Sequence, residues 1–168
     1  MRNWFRRSVG LLFVGGAGQL VLLLMLLLAQ QPSGAISPSF IAVLGLMIAF
    51  AGWCAWIGLR VLEGCVAALR HAFWIWLCQI PFIKGVLVSY SVGLVAYVPV
   101  GFDFGALQLY AKVLFGSQFA LLLGGNTSFA FAINLVAVLG AWLTAREIRR
   151  LNSIEVVTKQ TQDIPAPE

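Results

Sequence analysis

The chain has 168 residues, of which 61% are hydrophobic and only 10% charged, where a soluble domain carries roughly 25% charged residues. So little charge cannot cover an apolar interior, and lipid is the expected solvent for most of the chain. The net charge of +5 does not point to nucleic acid, because the basic residues stand at the ends of apolar runs, where membrane topology accounts for them.

In chain order, the first apolar run is residues 9–29, uncharged and preceded by Arg2, Arg6 and Arg7. It is long enough to cross a bilayer. It also exceeds the apolar region of a secretory signal, and Ala29-Gln30-Gln31-Pro32 lacks the small-residue cleavage pattern, so it is expected to stay as a span. Pro32, Gly34 and Pro38 mark a connecting loop, and a second uncharged run follows at residues 40–59. Arg60, Glu63, Arg70 and His71 then form a polar connection on the same side as the N-terminus.

Residues 72–98 are apolar but contain Pro81 and Lys84. A single tilted helix there would bury Lys84, at roughly 2.5–3.5 kcal/mol on insertion scales. Alternatively, Phe73, Trp74 and Trp76 lie in the interface, Pro81 makes a corner, and the span covers residues 85–100 with Lys84 at headgroup level. The second arrangement avoids a buried charge and is preferred. Residues 100–128 mix Asp103, Gln108, Lys112, Gln118 and Asn126 with five glycines and do not read as a clean span. A fifth helix at residues 106–123 would force Lys112 into lipid. The last run, residues 129–145, is closed by Arg146, Arg149 and Arg150, and the polar residues 151–168 are expected to be disordered.

These runs predict an all-α integral membrane protein, one membrane domain over residues 1–150. About four transmembrane helices are expected, at 9–29, 40–59, 85–100 and 129–145. Both termini are expected in the cytoplasm, because four spans gather nearly all Lys and Arg on one side and leave Lys112 alone on the other. Ala137, Gly140, Ala141 and Ala145, with Gly45, Ala49, Gly15, Gly16 and Gly18, provide small surfaces for helix packing or for a homo-oligomer. Gln19 and Asn134 are expected to form interhelical hydrogen bonds.

Catalytic chemistry is not legible. Cys54, Cys65 and Cys78 lack metal-ligand spacing, His71 is the only histidine, and no nucleophile has a base. No enzyme activity, cofactor or metal is expected. Lys84 with Asp103 is a candidate functional charge pair of the kind a transport site would use. The segment 101–132 holds six of the twelve phenylalanines, and reads as an outer re-entrant or interfacial element able to enter a facing membrane. Its candidate membrane-active residues are Phe102, Phe104, Phe115, Gly116, Phe119, Gly124 and Gly125.

The stretch Phe115-Gly116-Ser117-Gln118-Phe119-Ala120-Leu121-Leu122-Leu123-Gly124-Gly125 looks like a viral fusion peptide. In size and four-span hydrophobicity the chain resembles the small integral membrane protein of enveloped double-stranded RNA bacteriophages. That resemblance implies a component of a viral envelope that anchors a spike protein and fuses the envelope with a host membrane, with the bilayer, a facing membrane and the spike as partners. The other expectation is a multi-pass transporter, channel or accessory subunit of a bacterial inner membrane.

Overall fold

A computed structural model describes residues 2–29, 38–85, 88–94, 96–123 and 128–162. Three helices come first: α1 (Arg2–Ala29), α2 (Pro38–Leu62) and α3 (Val66–Cys78). Eight short strands follow: β1 (Pro81–Lys84), β2 (Val88–Gly93), β3 (Ala96–Tyr97), β4 (Pro99–Asp103), β5 (Gln108–Ala111), β6 (Leu114–Phe115), β7 (Gln118–Leu123) and β8 (Ala130–Asn134). Helix α4 (Leu135–Gln162) closes the chain.

The expected all-α bundle of about four spans is therefore corrected. Among the described residues only two helical stretches, Trp4–Ala29 and Phe40–Leu62, are long and apolar enough to cross a membrane. The described residues of the expected span at 85–100 form β2, β3 and the start of β4, and residues 129–145 divide between β8 and the first turns of α4. Residues 106–123, weighed as a fifth helix, form β5, β6 and β7. Hydropathy is blind to this difference, since an apolar run of strand length and an apolar helix score alike. What decides it is local: Val88, Tyr90 and Val92 alternate with Ser89 and Ser91, the two-residue period of a strand. Two further expectations change. The aromatic segment around Trp74, expected to lie in the interface ahead of a corner at Pro81, forms helix α3 and buries Ile75 and Trp76 against the other helices. Helix α4 also runs on to Gln162, well into the tail expected to be disordered.

Helices α1 and α2 pack antiparallel, and they come closest where two glycines face each other. A Cβ on Gly10 would lie 2.8 Å from the Gly58 carbonyl, and one on Gly58 would lie 2.9 Å from the Gly10 carbonyl. Small residues allow this approach where lipid supplies no hydrophobic drive between helices. Helix α3 packs against α4, with Gly140 under the Trp76 indole, and Phe13 of α1 reaches the same indole at 5.1 Å. The core cluster thus joins all four helices through residues such as Phe13, Cys54, Ile75 and Ala137. Arg6 and Glu147 meet at 3.4 Å, which places the start of α1 beside α4 at one charged end of the bundle.

The strands are best understood as one long hairpin. Val88 pairs with Leu123, Gly93 with Gln118, Ala96 with Phe115, Tyr97 with Leu114, Val100 with Ala111 and Asp103 with Gln108. Each step forward along the inner arm, β2 to β4, is matched by one step back along the outer arm, β7 to β5, without a register slip. The hairpin is folded into an arch. In the six-stranded sheet, ordered β5-β4-β8-β1-β2-β7, the two ends of the inner arm flank the β8–β1 pair from opposite sides. The bend, β3 with β6, is a separate two-stranded ladder.

Side-chain hydrogen bonds seat the bend on the helices. Buried Gln79, just past α3, donates to the Ile75 carbonyl and accepts from the Leu94 amide at 2.9 Å. Asn134 Oδ1 accepts from the Val98 amide at 3.1 Å and from Val136 at 3.2 Å, so it caps α4 while holding the bend. On the α1 side, the Ser117 hydroxyl lies 2.9 Å from the Gly16 carbonyl and 3.1 Å from Gln19 Oε1. Leu94 packs on Gly16, where a Cβ would come within 2.9 Å of it. Gln19 and Asn134 thus tie strands to helices instead of helix to helix.

Candidate functional site

The pleat sorts the arch into two faces. Residues Leu109, Phe102, Phe131, Ile83, Tyr90 and Leu121 stand opposite one another in one row across all six strands. The neighbouring row is Gln108, Asp103, Ala130, Lys84, Ser89 and Leu122. Because successive residues point to opposite faces, Leu109, Phe102, Phe131, Ile83 and Tyr90 share one face, and Gln108, Asp103, Ala130, Lys84 and Ser89 share the other, more polar one. The apolar face is open to the surroundings: Phe131, Ile133, Val113 and Phe115 are all exposed.

Inside the arch, against the polar face, lies a cleft of about 300 Å³. Every strand but β2 contributes to it, and its polar lining includes Lys84, Tyr97, Asp103, Tyr110, Lys112 and Gln118. The fold thus brings Lys84 and Asp103 to one cavity, as the two cross-strand neighbours of Ala130. It does not make them an ion pair: the described residues contain no salt bridge from either. Asp103 has another task, since its Oδ1 accepts from the Gly105 amide at 2.8 Å and the Ala106 amide at 3.1 Å. It shapes the turn between β4 and β5, where Leu107 takes a φ of 51°.

Beneath the lysines sits a cluster of three rings, with Phe82 6.2 Å from Tyr97 and 6.4 Å from Tyr110. Tyr97 is 1% exposed. Neither the Tyr97 nor the Tyr110 hydroxyl, both buried, has a hydrogen-bond partner among the described residues.

The remaining sequence-predicted residues are spread over the arch and α4. Phe102 and Phe104 stack edge to face at 4.9 Å, and Phe104 lies 5.3 Å from Phe129. Phe115 is 85% exposed on β6, Gly116 holds a φ of 118° at the bend, and Phe119 pairs with Val92. Gly124, Gly125 and Asn126 lie outside the described residues. Ala137 and Ala141 are buried, Gly140 meets Trp76, and Ala145 is half-buried. Gly15, Gly18 and Gly45 have nothing within 4 Å of a notional Cβ. No group of three metal-ligating side chains occurs among the described residues.

Sequence reasoning missed Tyr97, Tyr110, Lys112 and Gln118 as members of one site. The available signal was the alternation Gln108, Tyr110, Lys112 against Leu109, Ala111, Val113, which is a strand with one polar face.

No family model, curated protein or solved structure matches this chain. The four-span layout that suggested the phage envelope family is replaced by two long helices and an arch, so the functional reading below rests on the geometry itself.

Proposed function

We propose that this chain is a non-enzymatic membrane component that grips a bilayer through α1 and α2 and acts on lipid with the apolar outside of its arch. The helices support the first half of this reading. Leu11, Leu22, Met25, Leu26, Ile41, Ile48 and Leu59 are all exposed, whereas the central helix of a soluble domain would bury such a set. The arch supports the second half, and its carrying observation is the exposure of Leu107 at 78%, Leu109 at 79% and Phe115 at 85%. Exposed side chains of this size, with a polar face turned inward, are the arrangement that apolar surroundings favour.

Dimensions agree. From Arg70 to the end of α3 is about 12 Å of helix at 1.5 Å per residue, and β1 with the turn beyond β4 adds about 15 Å at 3.3 Å per residue. The sum is close to the roughly 30 Å hydrocarbon thickness of a bilayer. On this reading α1 and α2 cross the whole layer, while α3 and the start of α4 fill the half nearer the charged end and the strands the half beyond it.

The test is lipid mixing between proteoliposomes carrying the full chain and plain liposomes. The triple variant Leu107→Asp, Leu109→Asp, Phe115→Asp changes only exposed side chains, so its fold is expected to survive. Mixing by the natural chain that falls at least fivefold in the variant supports the proposal. Mixing that is absent, or equal in both proteins, sinks it.

A further inference from the structure

We infer that the cleft inside the arch binds a phosphate-ester anion, supplied either as a lipid headgroup or as a free phosphate ester. The inference does not depend on the arch disturbing lipid, since the donors concerned point inward and the apolar residues outward.

The lining carries two ammonium groups, Lys84 and Lys112, against one carboxylate, Asp103. The Asp103 carboxylate is already committed through Oδ1 to two turn amides. Two phenol hydroxyls, Tyr97 and Tyr110, are buried without partners among the described residues. A buried donor left unsatisfied costs about 1–3 kcal/mol, and a structure that keeps two of them beside the same cavity is arranged to spend them on something placed there. Gln118 is not spare in this sense, because its Nε2 donates to Ser91 Oγ at 3.1 Å. The unmet demand is for acceptors carrying negative charge. A phosphate ester provides two or three such oxygens on one centre, enough to accept charge-assisted bonds from the two ammoniums, with the phenols of Tyr97 and Tyr110 in the same lining as further donors once a ring turns toward the ligand.

Size and access fit the same ligand. At about 300 Å³ the cleft is at the lower end of small-molecule sites, which run from roughly 300 to 1,000 Å³. That is room for a phosphate with a glycerol-sized substituent, but not for a nucleotide. Leu114, which lines the cleft, is 43% exposed, and next to it Phe115 faces outward, so an acyl chain has an apolar path away from the phosphate.

The experiment uses the full chain in neutral maltoside micelles, titrated calorimetrically with two probes: glycerol 3-phosphate as a free phosphate ester, and dihexanoyl phosphatidic acid as a headgroup with short chains. Saturable binding of both identifies the phosphate ester as sufficient. Binding of the lipid alone identifies a headgroup site with acyl contacts. Either result is expected to weaken about tenfold in Lys84→Gln and in Lys112→Gln, the loss of one charge-assisted bond. Tyr97→Phe removes a single oxygen from a residue that packs by its ring, so it keeps the fold and is expected to weaken binding three- to tenfold. Failure of both probes to bind overturns the inference, and so does binding that is unchanged in all three variants. The lipid-mixing assay is read separately, so loss of one proposal leaves the other measurable.

Discussion

Gln79 has no exposed surface, and both ends of its amide are used: one on the Ile75 carbonyl within α3, the other on the Leu94 amide of the arch. Gln79→Leu keeps the volume and removes the acceptor, leaving the Leu94 N–H buried and unpaired. The expected loss is about 1–3 kcal/mol of unfolding free energy, and amide exchange at Leu94 should accelerate while that at Leu69 does not. Glycines make a second contrast at this scale. Gly140→Ala drives a Cβ to 2.5 Å from the Trp76 ring and should cost about 1–3 kcal/mol by overpacking. Gly45→Ala meets nothing within 4 Å and should be neutral or stabilise by up to about 1 kcal/mol through helix propensity. Thermal unfolding of both variants in micelles checks the pair. The sequence shows these glycines as one class at helical spacing. Which of them carries a contact depends on the partner opposite, and no spacing within one helix contains that information. The same limit hid Gly10 and Gly58, whose approach to each other, and to Leu62 and Val14, exists only once the two helices are packed.

For whole elements, what was legible followed from length. A run such as 40–59 exceeds any ordinary strand and is helical by default. The apolar residues between Ala72 and Val98 gave no such security, because Pro81 cuts them into pieces that suit either element. The tiebreakers were valines, serines and tyrosines in alternation, and they were outweighed by a hydropathy sum that treats all apolar residues alike. The arch also needed long-range pairing that no local pattern reports: β1 and β8 are neighbours although 45 residues separate Lys84 from Ala130. One residue lets the outer arm follow the fold of the inner. Gly116 takes φ 118°, a region that costs a residue with a side chain about 1–3 kcal/mol. Gly116→Val should therefore loosen the bend specifically. Amide protection is expected to fall across residues 114–118 and 94–98, with the far-ultraviolet helical signal of α1 and α2 unchanged. Uniform loss of protection over helices and strands would show that the bend is no separate unit.

At the scale of the molecule, charge and shape agree on direction. Arg6 with Glu147 and Arg60 with Glu63 mark one end, and Arg70, Arg146, Arg149 and Arg150 belong to the same polar boundary by their positions on α3 and α4. The arch runs the other way: Asn134 and Pro99 pair near the helices, while Asp103 pairs with Ala130 at the far end, and the turn of residues 104–107 lies beyond them. Positive charge favours the cytoplasmic side in a bacterial inner membrane. Both chain ends are then expected to be cytoplasmic, since α1 and α2 cross as a pair and the arch returns through β8 and α4 to the side it leaves. The turn should be on the opposite side. Reporter fusions to the full chain read this directly. A fluorescent protein that folds only in the cytoplasm should be bright at either terminus, and alkaline phosphatase, active only outside, should be silent there. A single cysteine replacing Ala106, in a chain whose Cys54, Cys65 and Cys78 are changed to alanine, should react with a membrane-impermeant maleimide added outside intact cells. Labelling at Ala106 only after the cells are broken would mean that the arch folds back to the basic side. The match between its length and half a bilayer would then be a coincidence of size.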